Sequence, residues 1–354
     1  LFATILGLVL AELMSPLFNN IIQAHVNIPY TLSFLLLVTA GGILLGFLAG
    51  IYPALILSSK PLLSTIKSSR SAGTQGYSLR RVLTVFQYTI SVVLIIATVV
   101  VFKQLDYVRT KDLGFNKERI VHYFADIPTA QKDLLKQRLG KHPNVTAVSY
   151  GNTLPGLVNM TQGFQTKEDS YGFHSLPVDP DFFDLFEMKI VKGRNFFEKG
   201  EMDMEKAYIV NEEAARLIGE EQIIGKPFRL WSRDEMGQIV GVVKNFHFRS
   251  LHHKIEPLVM YYRPEWCPRM FVKVKNEKLG STIDEIRATT LDLVPDLVFN
   301  YRFVDESFDR MYKKEERYGR LFGYFALVAI FIASLGLFGL ALFSTNQRFK
   351  EISI

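Results

Sequence analysis

Four stretches of this 354-residue chain are too apolar to form the surface of a water-soluble protein. They run from Leu1 to about Phe18, from Leu32 to about Leu57, from Val82 to about Phe102, and from Leu321 to Phe343. A helix needs about 20 mostly apolar residues to cross the hydrocarbon core of a bilayer, so each block is a candidate span, the first with Glu12 inside it. None reads as a secretory signal. Three are internal, and the first has neither a basic leader nor a small-residue cleavage site. Leu1 already lies within an apolar run, and Ile354 follows "QRFKEIS" without a stop residue. The expectation is an internal piece of a longer protein.

Charge follows the same division. The chain carries 41 Lys and Arg against 35 Asp and Glu, net +6. Residues 1–105 hold +5 of this, residues 106–318 hold −1 and residues 319–354 hold +2. The basic excess lies beside the apolar blocks, where membrane topology puts it, so it is not a nucleic-acid footprint. The loop Asn19–Thr31 has no charged residue, whereas Lys60–Arg81 holds Lys60, Lys67, Arg70, Arg80 and Arg81 without an acid. Positive loops stay in the cytoplasm. Lys60–Arg81 is therefore expected inside and the long segment after Phe102 outside. Arg348 and Lys350 are expected back in the cytoplasm. Cys267 is the only cysteine, so there is no intrachain disulfide and no cysteine-based zinc or redox motif.

Residues 106–318 read as a soluble α+β domain in two lobes. Alternation and β-branched content predict strands at Ile120–Phe124, Val145–Tyr150, Gly172–Val178, Ala207–Val210, Phe228–Trp231, Gln238–Val243, Leu258–Tyr262, Met270–Val274 and Val298–Val304. Helices are predicted at Ala130–Leu139, Pro180–Phe186, Asn211–Ile218 and Ser281–Val294, with Asn211 as an N-cap. A further helix starts near Glu306. No proline follows it, and Glu316 and Arg320 stand at i,i+4. That helix is expected to run unbroken into the last span.

The second apolar block carries Gly42, Gly46 and Gly50, one every fourth residue. Small residues at this spacing let a second helix approach closely in lipid, so this face is expected to pack on another helix. Pro53 removes a backbone donor and is expected to kink or end the span. The segment beyond it, "ALILSSKPLLSTIKSS", has the pattern of a short helix lying in the interface at the cytoplasmic surface.

Catalytic signatures are missing. There is no P-loop, no dinucleotide-binding glycine fingerprint and no GxSxG elbow. "GNTLPG" at residues 151–156 reads as a loop. "KNFHFRSLHHK" holds His247, His252 and His253, but no carboxylate is spaced to complete a metal site. No cofactor, metal or catalytic residue is expected.

Four stretches together carry a resemblance. "GIYPALILSSKPLLSTIK", "RRVLTVFQYTISVVLIIATVVVFKQLDYVRTKDLGFNKERIV", "GVVKNFHFRSLHHKIEPLVM" and "FALVAIFIASLGLFGLALFSTNQRFKEISI" occur in the order found in MacB/FtsX-like permeases of ABC transporters. The chain resembles the long duplicated form frequent in Bacteroidetes-type bacteria. The resemblance implies the following layout. Residues 1–59 close a first FtsX-like transmembrane domain with two spans, 60–81 form a cytoplasmic basic loop, and 82–105 form a transmembrane helix. Residues 106–318 form a MacB-type periplasmic core domain, 319–345 a further transmembrane helix, and 346–354 the start of a cytoplasmic coupling segment. Gln347, Arg348, Lys350, Glu351 and Ile352 match the family's coupling motif.

The resemblance also implies a mechanism. A separate cytosolic ABC ATPase dimer hydrolyses ATP, and its closure is transmitted through the spans to the periplasmic domain for export or envelope remodelling. The expected setting is the bacterial inner membrane. The expected partners are that ATPase and the lipid bilayer, with a second permease copy or a periplasmic partner as further candidates and no nucleic acid. Two other readings remain open at this level: an extracytoplasmic sensor domain of a signalling protein, and a membrane-anchored envelope enzyme.

Overall fold

The computed structural model describes residues 2–22, 26–58, 73–197, 206–219 and 222–352. The chain divides into two compact units. One is helical and combines residues 1–106 with residues 313–354; the other is Tyr107–Tyr312.

In the helical unit, α1 (Phe2–Ile22) and α2 (Leu32–Ser58) precede α3 (Gly73–Thr110), and the last helix, α9, covers Lys313–Ile352. Three of them are long and apolar enough to cross a membrane, over Phe2–Asn20, Thr84–Thr110 and Lys313–Gly339. In α2 the corresponding apolar stretch among the described residues is Leu32–Phe47. Glu12 of α1 accepts a hydrogen bond from the Tyr30 hydroxyl, and Asn19 bonds the backbone of Val26 through both its amide oxygen and nitrogen. The connection after α1 thus folds back along the helix and meets its one acid.

Two expectations about this unit change. Of the kink or end expected at Pro53, the end does not occur: α2 continues to Ser58, because one missing donor interrupts a single rung of the helical ladder and leaves the others intact. The basic stretch expected as a loop over residues 60–81 is helical from Gly73. Residues 59–72, which include most of the expected interfacial helix, lie outside the described residues.

The second unit is built from β1 (Ile120–Phe124), α4 (Thr129–Gly140), β2 (Val145–Gly151), β3 (Thr161–Gln165), β4 (Ser170–Pro177), α5 (Phe182–Leu185), β5 (Ile190–Gly193), β6 (Ala207–Asn211), α6 (Glu212–Ile218), β7 (Pro227–Leu230), β8 (Gly237–Val243), β9 (Leu258–Tyr261), β10 (Arg269–Val274), α7 (Leu279–Leu293), β11 (Tyr301–Phe303) and α8 (Val304–Met311). β1, β2, β10 and β11 form an antiparallel sheet in the order β11-β1-β10-β2. With α4 between β1 and β2 and α7 between β10 and β11, this is a split βαβ arrangement. Leu135 and Leu139 of α4 and Ile283 and Ile286 of α7 belong to the same buried core as Val121, Tyr123 and Val272.

The other seven strands are inserted between β2 and β10, in the order β5-β8-β6-β9-β4-β3-β7. An extra pairing of β7 with β8 closes six of them into a ring. Period-2 alternation sends Phe164, Phe173, Tyr208, Val210, Phe228, Leu230, Ile239, Val259 and Tyr261 into one buried cluster. Inside it the Phe164 and Phe228 rings stack at 5.4 Å and 10°, with Tyr208 edge-on to Phe228 at 5.3 Å. Burying each such ring contributes about 1.5–3 kcal/mol. The alternate residues Ala207, Ile209, Leu258 and Met260 join the main core instead, so β6 and β9 are buried on both faces.

Beside this shared apolar core lies a buried polar cluster. Asp179 is fully buried and accepts from Lys136 Nζ and Ser149 Oγ, while Lys136 also pairs with Asp181. The Asp179 amide bonds the Tyr150 carbonyl at 3.0 Å. Burial pushes the Asp179 carboxyl up to about 6 against the opposing pull of Lys136. Cys267, also buried, donates to the Arg263 carbonyl at 3.3 Å, and burial pushes its thiol well up. It is an inert core thiol.

One helix breaks where continuity was expected. α8 ends at Met311 and α9 starts at Lys313, with Tyr312 between them at φ −107° and ψ 9°. Tyr312 is held by a tertiary contact with Leu251.

Candidate coupling site between the incoming and outgoing segments

The α+β domain receives the chain from α3 and returns it to α9, so any movement of those helices enters through residues 111–119 or 304–312. Residues 244–252, the stretch that drew attention for its histidines, tie these two segments together. His247 N donates to the Leu113 carbonyl at 2.9 Å on the incoming side. Leu251 N donates to the Tyr312 hydroxyl at 2.9 Å on the outgoing side. Ser250 Oγ lies 3.4 Å from the same hydroxyl, and the His252 ring rests against the Tyr312 ring at 5.9 Å.

Aromatic packing joins the same three segments. Phe115 on the incoming side contacts Phe246 at 6.1 Å and Phe308 of α8 at 5.5 Å, and Phe246 contacts Phe248 at 6.0 Å. Two glycines make room. Gly114 adopts φ +82°, and an added Cβ would meet Phe246 Cβ at 2.8 Å. Gly156 adopts φ +94°, and an added Cβ would lie 2.0 Å from Phe308 Cζ. The loop "GNTLPG" therefore ends in a residue whose missing side chain seats the outgoing phenyl ring. Lys117 Nζ stands 5.5 Å from the centre of that ring, in cation–π range. Burial and the neighbouring Lys111 charge lower the pKa of His247.

The histidines of this segment are spread over different contacts. His252 Nδ1 lies 2.8 Å from Ser250 Oγ, and His253 N bonds the Ser250 carbonyl. No group of three or more His, Cys, Asp or Glu with metal-binding geometry occurs among the described residues. The contacts that join these segments are backbone hydrogen bonds and interlocked rings.

The helical unit has its own close contacts. Of the three glycines expected to form a packing face, Gly42 lies against α1: an added Cβ would stand 2.3 Å from Thr4 Oγ1. Gly46 and Gly50 have nothing within 4 Å among the described residues. A second line of small residues, missed in the sequence, runs along α9. A Cβ on Gly319 would meet Val101 Cγ1 at 3.0 Å, one on Gly323 would meet Thr98 Cγ2 at 3.8 Å, and one on Gly336 would meet Gln87 Oε1 at 3.2 Å. Ala326 and Ala333 on the same line are buried, as is Ser91 of α3. Spacings of three, four and seven mark one helix face, so α3 and α9 pack antiparallel. Gln347, Arg348, Lys350, Glu351 and Ile352 all lie within α9, at its C-terminal end.

Helices long and apolar enough to cross a membrane flank an α+β domain whose two ends are clamped to each other. A family profile described as the MacB-like periplasmic core domain matches residues 82–279, more than half of the chain, and the chain belongs to that family. It is thus a membrane protein with an extracytoplasmic segment.

Among solved structures, the periplasmic region of MacB from Actinobacillus actinomycetemcomitans is similar at 13% identity and a TM-score of 0.42, covering 57% of this chain and 97% of that one. The extracellular domain of the noncanonic ABC-type transporter YknZ from Gram-positive bacteria aligns at 13% identity and a TM-score of 0.39, covering 52% of this chain and 97% of that one. A domain of a putative permease protein from Porphyromonas gingivalis aligns at 16% identity and a TM-score of 0.38, covering 53% and 90%. No curated protein matches the chain.

Proposed function

We propose that this chain is the transmitting part of an ABC transporter permease of the MacB/FtsX type, driven by a separate cytosolic ATPase and itself without catalytic chemistry. The observation that carries this reading is the run of α9. One helix of 40 residues, Lys313–Ile352, holds both the apolar span and the "QRFKEI" motif. At about 1.5 Å per residue it reaches roughly 60 Å. A rod of that length can carry a displacement from Gln347, Arg348, Lys350, Glu351 and Ile352 to the residue beside Tyr312. There the clamp passes it to the incoming segment as well, so the domain responds as a unit. On this reading residues 60–81 and the coupling motif are cytoplasmic, residues 106–318 are periplasmic, and the protein sits in the bacterial inner membrane with several spans. The output is export or envelope remodelling.

Glu351 tests the reading better than Arg348 or Lys350, because acids contribute little to membrane orientation. In the full-length protein, Glu351→Ala is expected to leave membrane level intact and to weaken co-purification with the ATPase, or to uncouple hydrolysis from output. Removing one buried member of a charge pair costs about 2–5 kcal/mol. Normal association, ATPase stimulation and transport in both Glu351→Ala and Glu351→Lys would remove this tail from the coupling surface.

A further inference from the structure

The four-stranded sheet carries a cationic cluster that the clamp does not use. In the β1–β11 register Arg302 stands directly opposite His122, and in the β1–β10 register Arg269 stands opposite Phe124. Directly opposed residues share a sheet face, as do residues two apart on one strand. His122, Phe124, Arg269 and Arg302 therefore lie on one face.

The hydrogen bonds fix the charge state of the histidine. Arg269 Nη1 donates to His122 Nδ1 at 3.0 Å, so that nitrogen is an acceptor. His122 Nε2 lies 2.9 Å from Ser307 Oγ, whose own proton goes to the Phe303 carbonyl at 3.0 Å. Ser307 thus accepts, Nε2 carries the only ring proton, and His122 is neutral. Burial and the two arginines hold its pKa down at about 4.

A neutral imidazole supplies no counter-charge. Arg269 spends one donor on it, and its Nε is buried with no acceptor. Arg302 is exposed and makes no hydrogen bond or ion pair among the described residues. No acid appears among the charges acting on His122 or Arg269; each arginine acts on the other's surroundings instead. Neither guanidinium group forms an ion pair with a carboxylate among the described residues, so the two together are an uncompensated charge. Phe124, 53% exposed, provides an apolar shelf next to them.

We propose that His122, Phe124, Arg269 and Arg302 form a binding site for a phosphate group attached to an apolar body. The planar guanidinium fork matches the spacing of phosphate oxygens and binds them two at a time. His122 positions Arg269 through Nδ1, and Phe124 takes the apolar substituent. The site is distinct from the clamp and does not depend on the permease reading.

The test is isothermal titration of the full chain in neutral detergent with inorganic phosphate, hexyl phosphate and hexanol as separate ligands. Hexyl phosphate is expected to bind saturably and more tightly than inorganic phosphate, and hexanol not to compete. Arg302→Gln, at an exposed position that leaves folding intact, is expected to weaken hexyl phosphate about tenfold or more, the loss of one charge-assisted contact. Arg302→Lys should restore part of this. Phe124→Ala is expected to weaken hexyl phosphate and leave inorganic phosphate unchanged, which identifies an amphiphile as the source of the group. Equal affinity for the two phosphates, both lost in Arg302→Gln, would keep the oxyanion site and overturn the apolar shelf. No binding, or binding unaltered in Arg302→Gln, would overturn the proposal.

Discussion

The hydroxyl of Tyr312 accepts the backbone N–H of Leu251, 61 residues earlier in the chain, at 2.9 Å. This bond lies one residue from the start of the 40-residue helix Lys313–Ile352. It makes the end of the α+β domain a fixed point.

Removing it is the first test of the clamp. Tyr312→Phe keeps the ring and deletes the acceptor, which leaves the Leu251 N–H unpaired at a cost of about 1–3 kcal/mol. Hydrogen exchange of the full chain should quicken at residues 247–253 while the ring of β-strands stays protected. Unchanged exchange there would mean that the rings alone hold the clamp.

Gly156→Ala separates packing from backbone strain. Gly156 combines φ +94° with a Phe308 carbon 2.0 Å from the position of a Cβ, whereas Gly225 at φ +83° has nothing within 4 Å. A left-handed non-glycine residue costs about 1–2 kcal/mol. Overpacking adds about 1–3 kcal/mol. Gly156→Ala is therefore expected to destabilise by more than Gly225→Ala in chemical denaturation, and the difference should shrink in a Phe308→Leu background. Equal losses would show that Phe308 moves aside freely.

Acid stability should carry the signature of His122. An unfolded histidine titrates near 6.5, and this one is held at about 4 in the fold, chiefly by burial and then by Arg269 and Arg302. The unfolded chain binds the proton first, so the contribution is complete above pH 6.5 and is lost as pH falls toward 4. At full extent it is on the order of 3 kcal/mol. Asp179 acts in the opposite sense, since its folded value of about 6 exceeds the ordinary 3.8; it gains stability as pH falls from 6. The two are separated by comparing wild type with His122→Gln, whose stability should fall less between pH 6.5 and 4. Parallel curves would show that the histidine charges in place.

In the helical unit the glycines should rank by what they touch. Gly319→Leu and Gly42→Leu force a large side chain against Val101 and Thr4 respectively, and separating packed backbones removes the close contact that holds helices together in lipid. Gly46→Leu meets nothing within 4 Å among the described residues. Thermal stability in detergent is expected to drop for the first two. A drop for Gly46→Leu only in the assembled complex would assign that face to another chain.

The two-lobed α+β domain was legible because its longer strands, such as Val145–Gly151 and Gly237–Val243, alternate β-branched and small residues. The Asn211 cap was legible for the same local reason; its side chain accepts the Ala214 N–H. Thr161–Gln165, "TQGFQ", did not read as a strand because Gly163 breaks the pattern. That glycine exists to admit Trp231, whose ring carbon lies 2.4 Å from where a Cβ would stand. The stop at Tyr312 was invisible as well. No proline or glycine marks it, and the residue there is bonded to one far away in sequence. The clamp could be suspected only from the aromatic spacing of Phe308 and Tyr312, one helical turn apart.

The register of β1 and β11 has a mechanical consequence. Val121, one residue into β1, is paired with Phe303, the last residue of β11, so the chain arrives and departs at the same end of this antiparallel pair. A pull that separates those two ends would load the strands as a zipper, breaking one rung at a time, the weakest way to stress a β-ladder. The contacts of Phe115, Phe308 and Tyr312 lie outside that first rung on both connections. Under such a pull they would bear the tension before the strands do, and the sheet would not peel until they gave way.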